Sequence, residues 1–456
     1  MQQSHGTYLQ ILDVNRNDGS IKSFNQELRL ANDARSSFRW VVGANYEHSR
    51  VREDDEVNYA DSTSSYVNTQ VIGQDYDQAG YNNRQRLKNY AVFGNVEYDI
   101  SDQLTLKGGI RYTEAKRSSV NKTFDLGDGS ISSLFTTVIN TYRQIFDFGG
   151  PIPLVPLGDS VSLNSQTGLP GTFRDKLNEN STSWMLGVNY KATPTLLLYA
   201  NVSKGYKAGS FPGVSAGTFA QYAAVTQESL VDYEAGFKTT LFDRKVTLNG
   251  GVFYYDYKNK QLRAKIVDPF FNALDGLVNV PKSRVKGAEL ELSARVVEGL
   301  TVSAAATYID AKVRHYQGIV GSVANEVGLF DPIRGDFSGA RLPFSPKWQS
   351  SLSADYSLPL GGVNLTMGTT ISSQSKSLGV LAITNADKDL YEVNGRTLVS
   401  ARLGVEAPDG RWAVFGWGRN IFNKYYWTNT IQTYDTVVRY AGRPAEYGLT
   451  VRFKFQ

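Results

Sequence analysis

The sequence predicts an all-β chain folded as a transmembrane, antiparallel, up-and-down β-barrel, and three observations lead there. First, segments with apolar side chains at every second position and polar or charged ones between recur along most of the 456 residues. Strand side chains point alternately to opposite faces, so each such segment has one apolar and one wet face, as a wall between hydrocarbon and water requires. Second, the links alternate between tight turns of Gly, Pro and Asp and long loops, which places the turns at one end of the strands and the loops at the other. Third, mean hydropathy is only −0.32, and no run approaches the ~20 apolar residues of a membrane helix. A barrel escapes that helix test because lumen-facing residues dilute the apolar signal at alternate positions.

Sixteen strands are expected in order. Residues 8–14, 21–31 and 37–54 open the chain, and the loop 55–84 leads to 85–100. Ser101-Asp102-Gln103 turns that strand back into 104–124, and the longest loop, 125–180, follows. Strands 181–192 and 196–207 are joined through Thr193-Pro194-Thr195, and loop 208–228 leads to 229–242. Asp243-Arg244-Lys245 turns into 246–262, and after loop 263–282 comes 283–297, where Leu290, Leu292 and Ala294 oppose Glu289, Glu291, Ser293 and Arg295. Glu298-Gly299 turns into 300–315, which loop 316–341 links to 342–358. Pro359 to Gly362 turns into 363–378, and 391–407 follows, with Val399, Ala401, Leu403 and Val405 opposing Ser400, Arg402 and Glu406. Pro408-Asp409-Gly410 turns into 411–427, and 440–456 ends the chain with Leu449, Val451, Phe453 and Phe455 on one face and Arg452 and Lys454 on the other. A soluble propeller would show a shared blade motif every ~40–50 residues, and none is present.

Composition narrows the function. A net charge of +4 gives no sign of a nucleic-acid partner, and zero cysteines exclude disulfides and Cys-ligated zinc. His5, His48 and His315 are too dispersed for a metal motif, no phosphate-binding loop is present, and Gly416-Trp417-Gly418 lies within a strand pattern. The expectation is therefore no enzyme, no catalytic residue, no resident metal and no cofactor. The acidic run Glu53-Asp54-Asp55-Glu56 reads as a solvated loop tip, and Asp125 to Gly129 as a turn without full Ca²⁺-loop spacing. Loop 125–180, with apolar stretches at 134–139 and 151–157, is expected to fold over the barrel mouth and touch a ligand. Glu289, Glu291, Arg295, Arg402, Arg452 and Lys454 are expected to face the lumen or whatever fills it. The start, Met1-Gln2-Gln3-Ser4-His5, has neither the basic nor the apolar region of a signal peptide, so either a mature or truncated chain or a true start further upstream is expected.

Several segments together resemble the TonB-dependent outer-membrane receptor family. Asn420, Phe422, Asn423, Lys424, Tyr425 and Tyr426, in Gly418-Arg419-Asn420-Ile421-Phe422-Asn423-Lys424-Tyr425-Tyr426, match its penultimate-strand motif. Gly442-Arg443-Pro444 and a terminal strand with Phe455 follow as in the family. Phe24 to Leu30, Phe38 to Tyr46, Lys204 to Phe211 and Val285 to Glu291 are similar to segments inside its barrel. The resemblance implies residence in the outer membrane of a Gram-negative bacterium, surrounded by lipid. It also implies capture of a large scarce solute, such as a ferric siderophore, at the extracellular loops. The family barrel has about 22 strands around a plug; here residues 1–456 read as its C-terminal portion, with the plug, TonB box and some six strands missing. Contact with the TonB complex is then expected only if an upstream plug and TonB box exist. The rival readings are a passive porin-like channel of sixteen strands and a non-transporting truncated remnant.

Overall fold

The computed structural model of the protein describes residues 13–59, 69, 73, 77–213, 216–268, 272–326, 329–433 and 436–455. One antiparallel sheet of 15 strands dominates it, each strand hydrogen-bonded to the next in chain order. These are β1 (Asp13–Ala31), β2 (Phe38–Asn58), β3 (Gln78–Asp99), β4 (Leu104–Asp125), β5 (Phe173–Thr193), β6 (Leu196–Lys207), β7 (Glu228–Leu241) and β8 (Val246–Asp268). They continue as β9 (Asn272–Val297), β10 (Leu300–His315), β11 (Trp348–Leu360), β12 (Val363–Gln374), β13 (Arg396–Glu406), β14 (Trp412–Arg419) and β15 (Glu446–Phe453). Among the described residues no ladder joins β1 to β15, so these two strands are the edges of the sheet.

Register makes the alternation of the sequence into two continuous faces. Tyr46, Ala44 and Phe38 on β2 lie opposite Tyr90, Val92 and Tyr98 on β3. Val92 and Tyr98 in turn face Tyr112 and Leu106 on β4. The same face continues through Leu104–Tyr190, Tyr190–Leu198, Leu352–Ile371 and Met367–Leu403 to Val414–Val451. Many of these side chains are exposed, including Tyr90, Val92, Ile110, Leu186, Leu352, Leu403 and Phe453. An exposed apolar sheet face of this extent is stable only against hydrocarbon.

Aromatic rings mark the limits of that band. Phe24, Tyr46 and Tyr90 form a row with centroid spacings of 6.3 and 5.1 Å, and Tyr233–Tyr254 and Tyr308–Trp348 extend it at 6.4 and 4.7 Å. Toward the other end lie Phe38 and Tyr98, 6.3 Å apart. Tyr98 follows Tyr90 by eight residues on β3, roughly 26 Å along a strand and about 20 Å along the normal at a tilt near 40°. That matches the height of an outer-membrane apolar band, about 25 Å.

Short turns and long links alternate from β1 to β15 except between β8 and β9, which extend through most of the expected loop 263–282 and leave only residues 269–271 between them. The turns need unusual backbone at few positions. At Gly299 (φ 79°), between β9 and β10, an added Cβ would collide with the Ser357 carbonyl of β11, so only glycine fits there. The turn from β7 to β8 places Phe242, Asp243 and Arg244 at φ of 52°, 52° and 64°.

The strand count corrects the expectation of sixteen to fifteen. Residues 13–14 and 21–31 belong to one strand: Asn17, Asp18 and Gly19 continue the ladder against Asp55, Asp54 and Glu53. Both partners are polar there, beyond the apolar band, so no alternation signals a strand. Residues 8–12 of the expected first strand lie outside the described residues. Similar outward extensions start β3 at Gln78, β5 at Phe173 and β9 at Asn272, earlier than the sequence pattern. The acidic run 53–56 accordingly lies within β2, where Arg52 and Arg84 pair with Asp54, rather than in a loop. At the other end of the chain the expected strands are too long: β14 stops at Arg419 and β15 begins at Glu446.

Buried clusters sit mainly under the long links instead of inside the wall. One joins Tyr59, Ala79, Tyr81, Ile131 and Phe135; another joins Val280, Val313, Tyr316, Phe337 and Leu342. The fold is thus a thin wall with packed caps.

Candidate ligand-capture vestibule

The long link between β4 and β5 is a structured cap. Its helix α1 (Ser130–Ile145) starts after Gly129, and Asp125 at the end of β4 positions it. The Asp125 carboxylate accepts hydrogen bonds from the N–H groups of Gly127 (2.8 Å) and Ser132 (2.8 Å), so one acid makes the turn and satisfies a free donor of the first helical turn. Asp128 accepts from the Ser130 N–H at 2.9 Å, and the Ser130 hydroxyl and N–H hold its carboxyl below the usual range. Residues 125–129 are therefore a turn that launches a helix. Ile131 and Phe135 on α1 pack onto Tyr59, Ala79 and Tyr81 at the outer ends of β2 and β3. Ile139 and Tyr142 pack with Leu163 of the same link.

The link between β6 and β7 crosses to meet this cap. Glu179 on β5 clamps both of its ends, accepting from Gly209 N–H at 2.7 Å and Gln227 N–H at 2.6 Å. Gln85 on β3 then donates to the Phe211 carbonyl at 3.4 Å, and a Cβ on Gly213 would touch Asn83 and Glu53. Gln85, Asn83 and Glu53 stand on the polar face of β3 and β2. The link therefore runs over the polar face, from the seventh strand's side to the second's. Tyr222, in a short 3₁₀ turn (Phe219–Tyr222), is the buried bolt between the two links. Its hydroxyl meets Thr123 Oγ1 at 2.7 Å and donates to the Ala216 carbonyl at 3.3 Å. Burial pushes the Tyr222 phenol above its ordinary pKa. Ser162 donates to Ala216 O at 2.9 Å, and Leu163 N–H donates to Gly217 O at 2.7 Å.

A second lobe gathers the later links. The hairpin 317–336, the link 375–395 with helix α2 (Asn385–Leu390) and the hairpin 427–441 are tied together side by side. Trp427 Nε1 donates to Glu392 O at 2.9 Å, Arg439 to Leu390 O at 3.3 Å, and Phe344 N–H to Leu378 O at 2.8 Å. A Cβ at Gly379 would collide with the Thr430 carbonyl, so the two links touch through bare backbone. The sequence pattern gives no hint of this lobe, because its pieces are short and separated by strands.

The expected lumen-facing residues are spread along the wall. Glu289, Glu291 and Arg295 stand on the polar face of β9, and Glu289 approaches the position of Gly251 on β8. Arg402 on β13 pairs with Asp355 on β11 at 2.7 Å, passing over Gly368, whose missing side chain leaves the room. Arg452 pairs with Glu406 across β14, and Lys454 lies exposed beyond the end of β15. The structure does not bring the six into one site. Wall pairs of this exposed kind contribute at most about 1 kcal/mol each.

The segment 420–426 proves to be a turn after β14 rather than part of the strand. Asn420 and Asn423 adopt left-handed backbone (φ 46° and 49°), which asparagine tolerates better than most residues. The buried Asn420 amide donates to the carbonyls of Lys424 (3.0 Å) and Arg443 (3.1 Å) and accepts from Lys424 N–H (2.9 Å). Asn423 accepts from Ala445 N–H at 3.0 Å, just before β15 starts. Tyr426 fills the space left by Gly442, and Arg396 lies 4.7 Å above its ring. Phe422, Tyr425 and Phe455 are exposed. The motif thus fixes where the last link leaves and re-enters the wall.

The histidines do not form a site. His48 lies on β2, His315 ends β10, and His5 is outside the described residues. Among the described residues no cluster of His, Asp and Glu has the geometry to hold a metal ion.

Comparison with known proteins gives a consistent result. The family model described as TonB dependent receptor-like, beta-barrel, matches residues 2–421. The metal-pseudopaline receptor CntO of Pseudomonas aeruginosa (strain UCBPP-PA14) is 26% identical over 289 residues, covering 62% of this chain and 36% of that protein. The solved ferric yersiniabactin uptake receptor FyuA from Yersinia pestis superposes with a TM-score of 0.69 at 18% identity, over 98% of this chain and 56% of that one. The siderophore receptor PiuA from Acinetobacter baumannii gives 0.66 at 16% identity, over 96% and 56%. The chain thus spans about half the length of the solved receptors and a smaller share of the curated relative.

Proposed function

The chain belongs to the TonB-dependent receptor β-barrel family, and from that premise we propose that it forms the membrane wall and outer vestibule of a receptor for a large, scarce ferric chelate. It resides on this reading in the outer membrane of a Gram-negative bacterium, with the short turns toward the periplasm. The observation that supports it best is that the links 126–172 and 208–227 fold over the polar face and bolt together where Ser162 meets Ala216 and the Tyr222 hydroxyl. A wall that only conducts needs no such cap. Ligand is held between the caps by contacts, with no covalent step, so no residue here is catalytic.

Glu289, Glu291 and Arg295 offer the polar face of β9 to a plug, and pulling on that plug through TonB would admit the solute. Energy coupling therefore belongs to the protein of which this barrel portion is a part. Among the described residues β1 and β15 run in the same direction, so joining these two edges directly would need a parallel ladder.

The experiment is binding and uptake of ⁵⁵Fe-loaded chelates by intact, iron-limited cells expressing the gene, with or without an uncoupler that collapses the proton gradient. Saturable binding without the gradient and uptake only with it is the expected result. Salt conductance in planar bilayers with no chelate binding would instead establish the channel.

A further inference from the structure

Cations collect on one part of the outward face, just above its aromatic row. On β1, β2 and β3, Lys22, Arg50, Arg86 and Lys88 stand on the same side as Phe24, Tyr46 and Tyr90 and are exposed. Lys22 and Lys88 lie two residues outward of Phe24 and Tyr90, and Arg50 and Arg86 lie four residues outward of Tyr46 and Tyr90. At a strand tilt near 40° these steps are roughly 5 and 10 Å along the normal, the level of lipid headgroups. Lys22, Arg50 and Arg86 are directly opposite one another on adjacent strands, and Lys88 faces His48 and Lys116. Like charges in direct register across a ladder are destabilising. The acids on this side are already engaged: Glu114 pairs with Lys116 at 2.8 Å, Asp54 with Arg52 at 2.5 Å and Arg84 at 2.6 Å, and Asp18 and Glu56 with Arg16 at 3.1 and 3.4 Å. Glu47, Glu53, Asp175 and Glu179 stand on the opposite, polar face. Arg50 donates through Nε to His48 Nε2 at 3.2 Å, which brings it no negative charge. Among the described residues, the four cations are thus left without a carboxylate partner.

Immediately inward of these cations the apolar face is hollow. A groove of about 400 Å³ is lined by Leu28, Ala44, Tyr46, Tyr90, Val92 and Tyr112. Ala44 lies between Leu28 and Val92 in the ladder, and its small side chain leaves the space. An apolar slot that leads up to unpaired cations matches a molecule with a hydrocarbon chain and an anionic head. We propose that Lys22, Arg50, Arg86 and Lys88 bind the phosphate-bearing headgroup of an acyl lipid in the outer leaflet, with one acyl chain in this groove. Phosphate suits the patch because arginine offers it paired N–H donors, and a head with two charges offsets two opposed cations at once. The lipid then relieves the repulsion across β1, β2 and β3 that the chain itself leaves standing. The inference rests on the membrane residence proposed above and not on the chelate.

The test is native mass spectrometry with equilibrium binding, on the protein in mild detergent, of diphosphoryl lipid A and of the same lipid stripped of its phosphates. Retention of one diphosphoryl lipid per chain is expected, bound at least about tenfold more tightly than the stripped form. Arg50→Gln with Arg86→Gln should bring the two affinities within about threefold of each other. Arg402→Gln with Arg452→Gln removes equal charge from the polar face and should keep the preference. Ala44→Trp fills the groove and should weaken both lipids about fivefold or more. Heat-modifiable migration shows whether each wall is intact, and if the double variant does not fold, Arg86→Gln alone gives the comparison. Stability supplies a second measurement. In phosphatidylcholine bilayers Arg86→Gln should raise the urea midpoint above wild type by removing repulsion, and in bilayers that contain diphosphoryl lipid A it should lie below wild type. Equal affinity for the two lipids, or a preference that survives the loss of Arg50 and Arg86, overturns the proposal. So does inorganic diphosphate that displaces bound lipid as readily as unlabelled lipid does, since the patch would then be a site for free phosphate. A wild-type chain that does not enter phosphatidylcholine bilayers overturns the membrane residence as well, whereas one that enters without a phosphate preference overturns this proposal alone.

Discussion

The assignment of faces makes a sharp prediction at Ile110. Its side chain is 59% exposed on the apolar face, opposite Gly94 on β3 and Trp184 on β5. Gly94 lies midway between Tyr90 and Tyr98 along β3, so Ile110 sits near the bilayer midplane. Gly94 offers no side chain to shield a charge, and each aromatic row is about 10 Å away along the normal, beyond easy reach of a guanidinium. Ile110→Arg should therefore cost about 2–4 kcal/mol of folding free energy, the value for arginine at the midplane of a barrel. That is roughly a 30- to 700-fold loss in the folded-to-unfolded ratio. The control is Met185→Arg, one residue along β5 from Trp184 and on the polar face, where the charge stays hydrated and the cost should be within about 0.5 kcal/mol. Both are measured by urea titration of the protein folded into phosphatidylcholine bilayers, read by tryptophan fluorescence. If the two variants lose equal stability, or Met185→Arg loses more, the faces are assigned the wrong way round.

The remaining predictions concern the caps. Replacing residues 128–170 by a short Gly-Ser link should abolish chelate binding while leaving the wall folded, because β4 and β5 run to Asp125 and from Phe173 independently of the helix; unchanged affinity would remove the cap from the site. Asn420→Ala leaves two carbonyls and one N–H without their side-chain partner and should cost about 2–4 kcal/mol. Asn420→Asp keeps the acceptor but points a carboxylate at two carbonyls, so a urea midpoint equal to wild type would refute the amide's role. Tyr222 is predicted to make the cap sensitive to alkali. Its folded pKa is raised above the ordinary value of 10.0, so the stability it contributes is complete below pH 10 and is lost as pH rises toward and through the folded value. Limited proteolysis by subtilisin across pH 8–11.5 should show residues 126–172 opening in that upper window (about pH 10 and above), and Tyr222→Phe should show no such step.

The wall was legible in the sequence because its two solvents impose period two, and that pattern is densest where hydrocarbon lies on one side. Leu290, Leu292 and Ala294 against Glu289, Glu291 and Arg295 place β9 in register without further help. Legibility fades where the strands run past the bilayer. Residues 15–20 are a strand with no apolar face to announce it, while in 78–84 and 272–282 the few apolar residues, such as Ala79, Tyr81 and Val280, pack under the links, and the strands are continued by the ladder of a neighbour. Helix α1 is hidden in the sequence for a different reason. Ile131, Leu134, Phe135, Val138, Ile139, Tyr142 and Ile145 recur at helical spacing. The β-branched Thr, Val and Ile residues of the segment obscured that period by favouring strand. The motif at 420–426 was visible as residues but not as a turn, since only the Asn420 hydrogen bonds reveal what its spacing serves.

These differences share a cause with the fold's division of labour. A wall one residue thick has no interior to pack, so its stability comes from backbone ladders and from lipid on one face. Tightly fitted side chains occur where the long links stack on the outer ends of the strands, as with Tyr222 under Ala216 or Phe135 against Tyr81. Single substitutions on the polar face of the mid-wall should be tolerated, because water replaces whatever is removed. Substitutions in the caps remove close packing and paired buried groups at once, each a mechanism that costs several kcal/mol. Specificity for a solute then evolves under a constraint. The links must change their exposed lining residues while keeping the bolts, such as Tyr222, Glu179 and Asn420, that hold them across the mouth.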